Sequence, residues 1–258
     1  VMVIGGGPAG LAAAMRLSAQ NYTVTLIEQS ERLGGRLLRS GVDANQFDAI
    51  PPVLMGHHRA TLALLKELGT ADRASLSNDL RFEFLLPGGH LVSLMQPWLP
   101  APFQTVIGLL LFGGLPLGDR WQLLDAIERS WEGDPALPQN LDQRTAEEWL
   151  AERKQSERAR ADVWTPLARF LIGDDIATIS AAALVSVFTR CFLTARRHAR
   201  LAVPTDTLGN LLLAPLAARL ARTGATIKFN TAAVLLQIEN DRVTGVRLRD
   251  GTTLTADY

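Results

Sequence analysis

The first ten residues, VMVIGGGPAG, limit what this chain can fold into more than any later stretch. VMVI reads as a buried strand. PAGLAAAMRLSAQ reads as an alanine-rich helix, with Pro8 near its start, where a missing N–H is tolerated. Between them Gly5, Gly7 and Gly10 form G-x-G-x-x-G. Gly5 permits the tight turn, Gly7 lets backbone approach a pyrophosphate, and Gly10 allows close helix–strand packing. The helix N-terminus, with Pro8 and Ala9 in its first turn, then offers open N–H groups and a positive dipole to an anion. YTVTLIE follows as a second strand. Glu28 ends it about 20 residues past the first glycine, where an acid binds ribose hydroxyls. The unit predicts an α/β fold with a parallel sheet and a dinucleotide site at Gly5, Gly7, Pro8, Ala9, Gly10 and Glu28.

ERLGGR then supplies Gly34, Gly35 and Arg36 soon after that acid. Two glycines let a loop fold back toward the first glycine turn, and Arg36 is available to a phosphate or to brace the turn. A site for NAD has no need of this second contact, whereas a long flavin dinucleotide uses it. The stretch VIGGGPAGLAAAMRLSAQNYTVTLIEQSERLGGR resembles the FAD-binding opening of the amine oxidase and phytoene desaturase superfamily. The resemblance implies FAD as the cofactor.

Later blocks resemble, in order, the bacterial hydroxysqualene dehydroxylases, also called squalene-associated FAD-dependent desaturases. They are FDAIPPVLMGHHRATLALLKELG, LPAPFQTVIGLLLFGGLPLGDRWQLLDAI, TAEEWL, VWTPLARFLI, LAVPTDTLGNLL and VTGVRLRDGTTLTAD. Two departures stand out. The family's D-N-G-Q-H is Asp48, Ala49, Ile50, Pro51 and Pro52 here, and RFLIGDD replaces an Ala-x-Leu-Asn type of segment. The resemblance implies a hydrophobic isoprenoid substrate and reductive dehydroxylation of hydroxysqualene to squalene, in hopanoid or squalene biosynthesis. Squalene-synthase-like pathway enzymes are then the expected partners. A carotenoid (phytoene)-type desaturase or a flavin amine oxidase is the alternative, and a non-catalytic lipid- or nucleotide-binding remnant is a third reading. The same resemblance implies a two-domain flavoprotein. A Rossmann-like FAD domain is built from residues 1–79 and 206–258, the second piece bringing a helix, a strand and a β-meander. A mostly helical substrate domain, residues 80–205, is inserted between them. Pro52, Val53, Leu54 and Met55 are expected near the flavin, and the backbone of Ala233 and Val234 near the adenine. The block that closes the isoalloxazine site in the family lies further on, so a C-terminal part is expected to be missing, and both ends read as cut.

The remaining features exclude more than they assign. Lys+Arg and Asp+Glu are both 26, so no basic excess points to nucleic acid. The single cysteine, Cys191, rules out an internal disulfide and reads as a small buried residue. No ligand spacing for a metal is visible. His57 and His58 precede the helix RATLALLKELG, and a histidine there could protonate a leaving hydroxyl. With Asp48 they are the candidates for catalysis. RFEFLLPGGHLVSL reads as a hairpin, and TAEEWLAERKQSERARADVW as helical with a solvated face. DTLGNLLLAPLAARLARTG reads as one long helix. FQTVIGLLLFGGLPLG, residues 103–118, is too short and broken to span a membrane. It is the expected peripheral membrane contact. No signal peptide is read, and the expected location is the cytoplasm, with contact on the inner face of the cytoplasmic membrane.

Overall fold

The computed structural model describes residues 1–37, 39–40, 47–48, 53–78, 81–131 and 141–256, with backbone only at 39–40, 47–48 and 125–131. In chain order the elements begin β1 (Met2–Ile4), α1 (Pro8–Ala19), β2 (Thr25–Ile27), β3 (Arg39–Ser40), β4 (Phe47–Asp48), β5 (Leu54–Met55) and α2 (Arg59–Leu68). Then come β6 (Arg81–Leu86), β7 (His90–Met95), α3 (Phe103–Leu111), α4 (Leu117–Trp131), α5 (Ala146–Glu152), α6 (Glu157–Ala159), α7 (Thr165–Leu171) and α8 (Ala181–Phe188). The chain closes with β8 (Leu201–Ala202), α9 (Ala214–Ala221), β9 (Thr226–Lys228), β10 (Ala233–Glu239), β11 (Arg242–Leu248) and β12 (Thr253–Thr255). Contacts divide these into two compact units. The first holds Val1–Leu54, Arg59–Ser75 and Val203–Tyr258, and the second holds Met55–His58 and Leu76–Ala202.

In the first unit β1, β2 and β9 form a parallel sheet in that order, with Met2 opposite Thr25 and Thr25 opposite Thr226. Parallel neighbours need crossovers, and α1 supplies the first. Its apolar positions Leu11, Ala14 and Met15 recur at helical spacing and are buried. α1 packs on α9, whose buried residues are Leu216 and Leu220. Burial of one such leucine contributes about 1.5–3 kcal/mol. β10, β11 and β12 make the antiparallel meander. Asn240 and Asp241 both take positive φ between β10 and β11, the backbone of a tight hairpin turn. Ile27, Val246 and Leu248 form a buried cluster on which Ala233 packs.

The second unit is mostly helical, with the hairpin β6–β7 turning at Pro87–Gly89. Its core gathers Phe84, Phe112, Leu150, Trp164, Leu167 and Leu184, among others. Thr145 begins α5 with a capping box: its hydroxyl accepts from the Glu148 amide, and the Glu148 carboxylate accepts from the Thr145 amide.

Two helices expected from the sequence are shorter. TAEEWLAERKQSERARADVW breaks after Glu152, where Lys154 takes φ 57°. Gln155 is buried there, accepting from Trp164 Nε1 at 2.8 Å and donating to the Asp119 carbonyl at 3.0 Å. Asp119 also accepts from the Ser156 amide at 2.6 Å, and Ser156 caps the next helix. The supposed solvated face is therefore interrupted by a buried polar network. The helix before Gly224 begins only near Leu208, because Asp206 and Thr207 form a turn in which the Thr207 hydroxyl accepts from the Asn210 amide.

Candidate cofactor site

The glycine turn between β1 and α1 has the geometry its residue types require. Gly5 takes φ 97°, and its amide donates to the Ile27 carbonyl at 2.8 Å, locking the turn to β2. A Cβ on Gly10 would lie 1.9 Å from the Gly5 carbonyl oxygen, so glycine is required there. A Cβ on Gly7 would meet nothing within 4 Å. Gly7 is the N-cap of α1 and brings no side-chain cap, and Pro8 follows it. The first helical bond runs from the Leu11 amide to the Gly7 carbonyl. The amides of Ala9 and Gly10 therefore lie in the turn that has no intrahelical acceptor, a ready anion site.

Glu28 is 7% exposed and does more than end a strand. Its Oε2 accepts from the Gly6 amide at 2.6 Å, and its Oε1 accepts from the amide and hydroxyl of Ser30 at 2.8 and 2.7 Å. Burial pushes this carboxyl's pKa up, but the bonds from Ser30 and Gly6 outweigh it and hold it below its ordinary value. It is ionised at neutral pH. A carboxylate has about four acceptor positions, and three are filled. Sequence reasoning gave Glu28 to the ribose and missed that it also brackets the turn; Ser30, two residues on, was the available signal.

The second glycine pair folds onto the first turn. The Gly34 amide donates to the Gly6 carbonyl at 2.9 Å, and a Cβ on Gly35 would touch Gly7 Cα at 3.4 Å. Gly34 and Gly35 both take positive φ, and Arg36 is exposed in the short 3-10 turn Gly35–Leu37. On the other side of Glu28 its carbonyl accepts from Thr231, and its amide donates to Lys228. Ala233 and Val234 begin β10 just beyond. A cleft of about 290 Å³ opens here, lined by Gln29, Asn230, Thr231, Ala232, Arg249 and Asp250, residues that sequence reasoning did not single out.

The Asp48 side chain and Pro52 lie outside the described residues. Val53 and Leu54 belong to the first unit, and Leu54 is buried. Met55, His57 and His58 belong to the second. There Met55–His58 is a turn, with the His58 amide donating to the Met55 carbonyl and the Met55 amide donating to His58 Nδ1 at 3.1 Å. Gly56 and His57 donate to the carbonyls of Arg200 and His198. A Cβ on Gly56 would lie 1.8 Å from the Arg197 carbonyl oxygen, so this turn too requires glycine.

His57 Nδ1 lies 3.3 Å from Cys191 Sγ. Burial, then the neighbouring His58, pushes His57 down to about 4, and burial pushes the Cys191 thiol up to about 12. The pair is therefore a neutral imidazole beside a protonated thiol. At pH 7 His57 is therefore the neutral imidazole, without the imidazolium proton of a strong general acid. Burial lowers His58 as well. Among the described residues, no three His, Cys, Asp or Glu side chains gather to hold a metal.

A parallel sheet, a glycine turn on a helix N-terminus and a bracketed acid define a dinucleotide-binding flavoprotein of the two-unit kind. Residues 8–258 match the family described as flavin containing amine oxidoreductase, and the chain belongs to it. The chain is 25% identical over 277 residues to a zeta-carotene desaturase from Synechocystis, covering 100% of this chain and 56% of the relative. It is 34% identical over 110 residues to a coproporphyrinogen III oxidase from Mycobacterium tuberculosis, covering 42% of this chain and 23% of the relative. The solved structure of cyclohexylamine oxidase from Brevibacterium oxydans superposes with a TM-score of 0.64 at 22% identity, over 99% of this chain and 55% of that one. The chain thus spans about half the length of the desaturase and the amine oxidase.

The cofactor of this family is FAD, and the residues present fit its ADP half. Gly7 leaves open space at the helix N-terminus, Glu28 holds an ionised carboxylate beside the turn, and Arg36 is exposed on the loop folded against Gly7.

Proposed function

We propose that the whole protein is an FAD-dependent oxidoreductase acting on a hydrophobic isoprenoid, most like the reductive dehydroxylation of hydroxysqualene to squalene. The observation that carries the flavin part is the bracketed glycine turn, in which Gly6, Gly34 and Glu28 are tied together beside the open Gly7. The isoprenoid part rests on the ordered sequence blocks and on the apolar helices α3 and α8 of the second unit.

Bound FAD supplies hydride donation or acceptance. The chain's own residues bind and orient. Gly7 and the open amides of α1 would hold the pyrophosphate, Glu28 the ribose, and the cleft beside Thr231 and Arg249 the adenine. A polyisoprenoid has almost no polar handle, so its affinity comes from buried apolar area at about 25 cal/mol per Å². In dehydroxylation an allylic C–O bond breaks, a C–H bond forms, and the hydroxyl leaves with a proton as water. With its pKa lowered to about 4, the neutral imidazole of His57 is a poor donor of that proton at pH 7.

The second reading is a carotenoid-type desaturase, in which two C–H bonds are lost, one as hydride and one as a proton. It is favoured by the likeness to zeta-carotene desaturase along the whole chain. Anaerobic incubation of the flavin-loaded, full-length protein decides between them. Reduced protein converting hydroxysqualene to squalene supports the first reading. Oxidised protein desaturating a carotenoid precursor while leaving hydroxysqualene intact supports the second. Turnover of neither refutes both.

A further inference from the structure

Two segments far apart in the chain bring three soft donor atoms together in the second unit. α8 continues past Phe188 into a π-helical turn, Thr189–Leu193. Such turns are rare and recur at functional sites. Cys191 lies on this one and is fully buried. Its Sγ is 3.8 Å from Met55 Sδ and 3.3 Å from His57 Nδ1, on residues 136 and 134 positions earlier. Met55 is buried as well, and His57 is half-buried. All three belong to the same compact unit.

The turn that carries Met55 and His57 is fixed independently of Cys191. Gly56 fits only as glycine against the Arg197 carbonyl, and its amide donates to the Arg200 carbonyl. His58 Nδ1 is occupied by the Met55 amide, so His57 is the imidazole that faces the sulfur. Phe82, Val187, Phe188 and Phe192 pack an apolar shell around Met55 and Cys191. Donor atoms about 2.0–2.3 Å from one metal ion, at trigonal or tetrahedral angles, stand roughly 3.5–4 Å from each other. The two distances to Cys191 Sγ lie close to that range. Thiolate and thioether sulfur select copper(I), and imidazole suits copper too. None of the three donors is an oxygen, the ligand that hard ions need.

We propose that Met55, His57 and Cys191 bind one soft monovalent cation, copper(I). The ion takes the place of the thiol proton: the S–H bond breaks, the copper–sulfur bond forms, and the proton leaves to water. No electron is transferred. The exchange leaves the charge of the apolar cluster unchanged, whereas a divalent ion would add a unit of positive charge to a buried place one residue from the Arg190 guanidinium-bearing position. The ion enters past His57, which alone of the three is part-exposed. Once bound, it ties the π-helical turn to the Met55–His58 turn and stabilises the folded protein. The inference does not depend on which reaction the protein performs.

The test is anaerobic titration of the flavin-loaded, full-length protein with copper(I) against the competing chelator bicinchoninate. X-ray absorption of the copper is expected to show two sulfurs and one nitrogen around it. Cys191→Ala is expected to lose this copper altogether. Met55→Leu, which conserves volume, and His57→Gln should each weaken binding at least about tenfold. Silver(I) should raise the unfolding temperature of wild type and not that of Cys191→Ala, and zinc(II) should raise neither. Thermal unfolding without metal checks that each variant folds. The proposal is overturned by a protein that takes no copper(I) from the chelator, or by copper bound through oxygen or a single sulfur. It is equally overturned if Cys191→Ala retains the copper, if Met55→Leu and His57→Gln both leave binding unchanged, or if zinc(II) binds as tightly as copper(I).

Discussion

Replacing Gly10 and Gly7 separately by alanine should split stability from cofactor binding. At Gly10 the new methyl would sit 1.9 Å from the Gly5 carbonyl oxygen and 3.1 Å from its carbon. Non-bonded carbon and oxygen tolerate little less than about 3 Å, so α1 must move off β1 by about 1 Å. The obstacle is backbone and cannot rotate away. The helix face that moves carries Leu11 and Ala14, both 0% exposed, so the shift opens the core. Overpacking of this kind costs about 1–3 kcal/mol, and an immovable neighbour places Gly10→Ala at the upper end. At Gly7 the same methyl meets nothing within 4 Å, and φ is −73°. The loss of glycine's preference at an N-cap is offset by a less flexible unfolded chain, so stability should stay within about 1 kcal/mol. The methyl instead occupies the space where a pyrophosphate comes against the backbone. Urea unfolding of the apoprotein and titration with FAD by flavin fluorescence measure the two effects. Gly7→Ala should unfold like wild type yet bind FAD at least about tenfold more weakly. Gly7→Ala binding FAD as tightly as wild type, or Gly10→Ala as stable as wild type, would refute the reasoning.

Other outcomes follow from the same structure. Glu28 has a folded pKa below its ordinary value of 4.5, so its stabilisation is complete above that pH and is lost as pH falls through the lower folded value. Glu28→Ala should remove this acid-side slope and leave the buried Gly6 amide without its acceptor, costing about 1–3 kcal/mol in unfolding experiments. Cys191, buried with its thiol pushed up to about 12, should resist thiol reagents at pH 8 until the protein unfolds, whereas rapid labelling of native protein would contradict the neutral Cys191–His57 pair. In the same pair, NMR should find His57 titrating near 4, not near 6.5. Thr145→Ala removes one half of a capping box and should cost about 1 kcal/mol, read by urea denaturation.

The glycine turn was legible because its constraint is steric and local. Only glycine fits 1.9 Å from a carbonyl at Gly10, and Gly5 takes φ 97° in the same turn, so the needs leave a mark in the sequence. The meander was legible for a similar reason, since Asn240, Asp241 and Gly251 carry the positive φ that its turns require. What sequence could not show depends on partners far along the chain. Helical periodicity continues through Lys154, but the helix stops there because Asp119 and Trp164 hold Gln155 and Ser156. His57 looked titratable near neutrality until folding half-buried it beside His58, in a turn that requires Gly56. Glu28 was assigned to a ligand from its position alone. Its bonds to Gly6 and Ser30 emerge only when β2 and the turn are placed together.

In the proposed complex the ADP half of FAD is read by Gly7, Glu28 and the loop at Gly34–Arg36. The most direct test is parallel titration of the flavin-free protein with FAD and with FMN, which share the isoalloxazine ring but differ in the adenylate that this site holds. FAD binding at least a hundredfold tighter than FMN, with the preference lost in Gly7→Ala, is the predicted result. Equal affinity for the two flavins, or a preference for FAD that survives Gly7→Ala and Glu28→Ala unchanged, would contradict it.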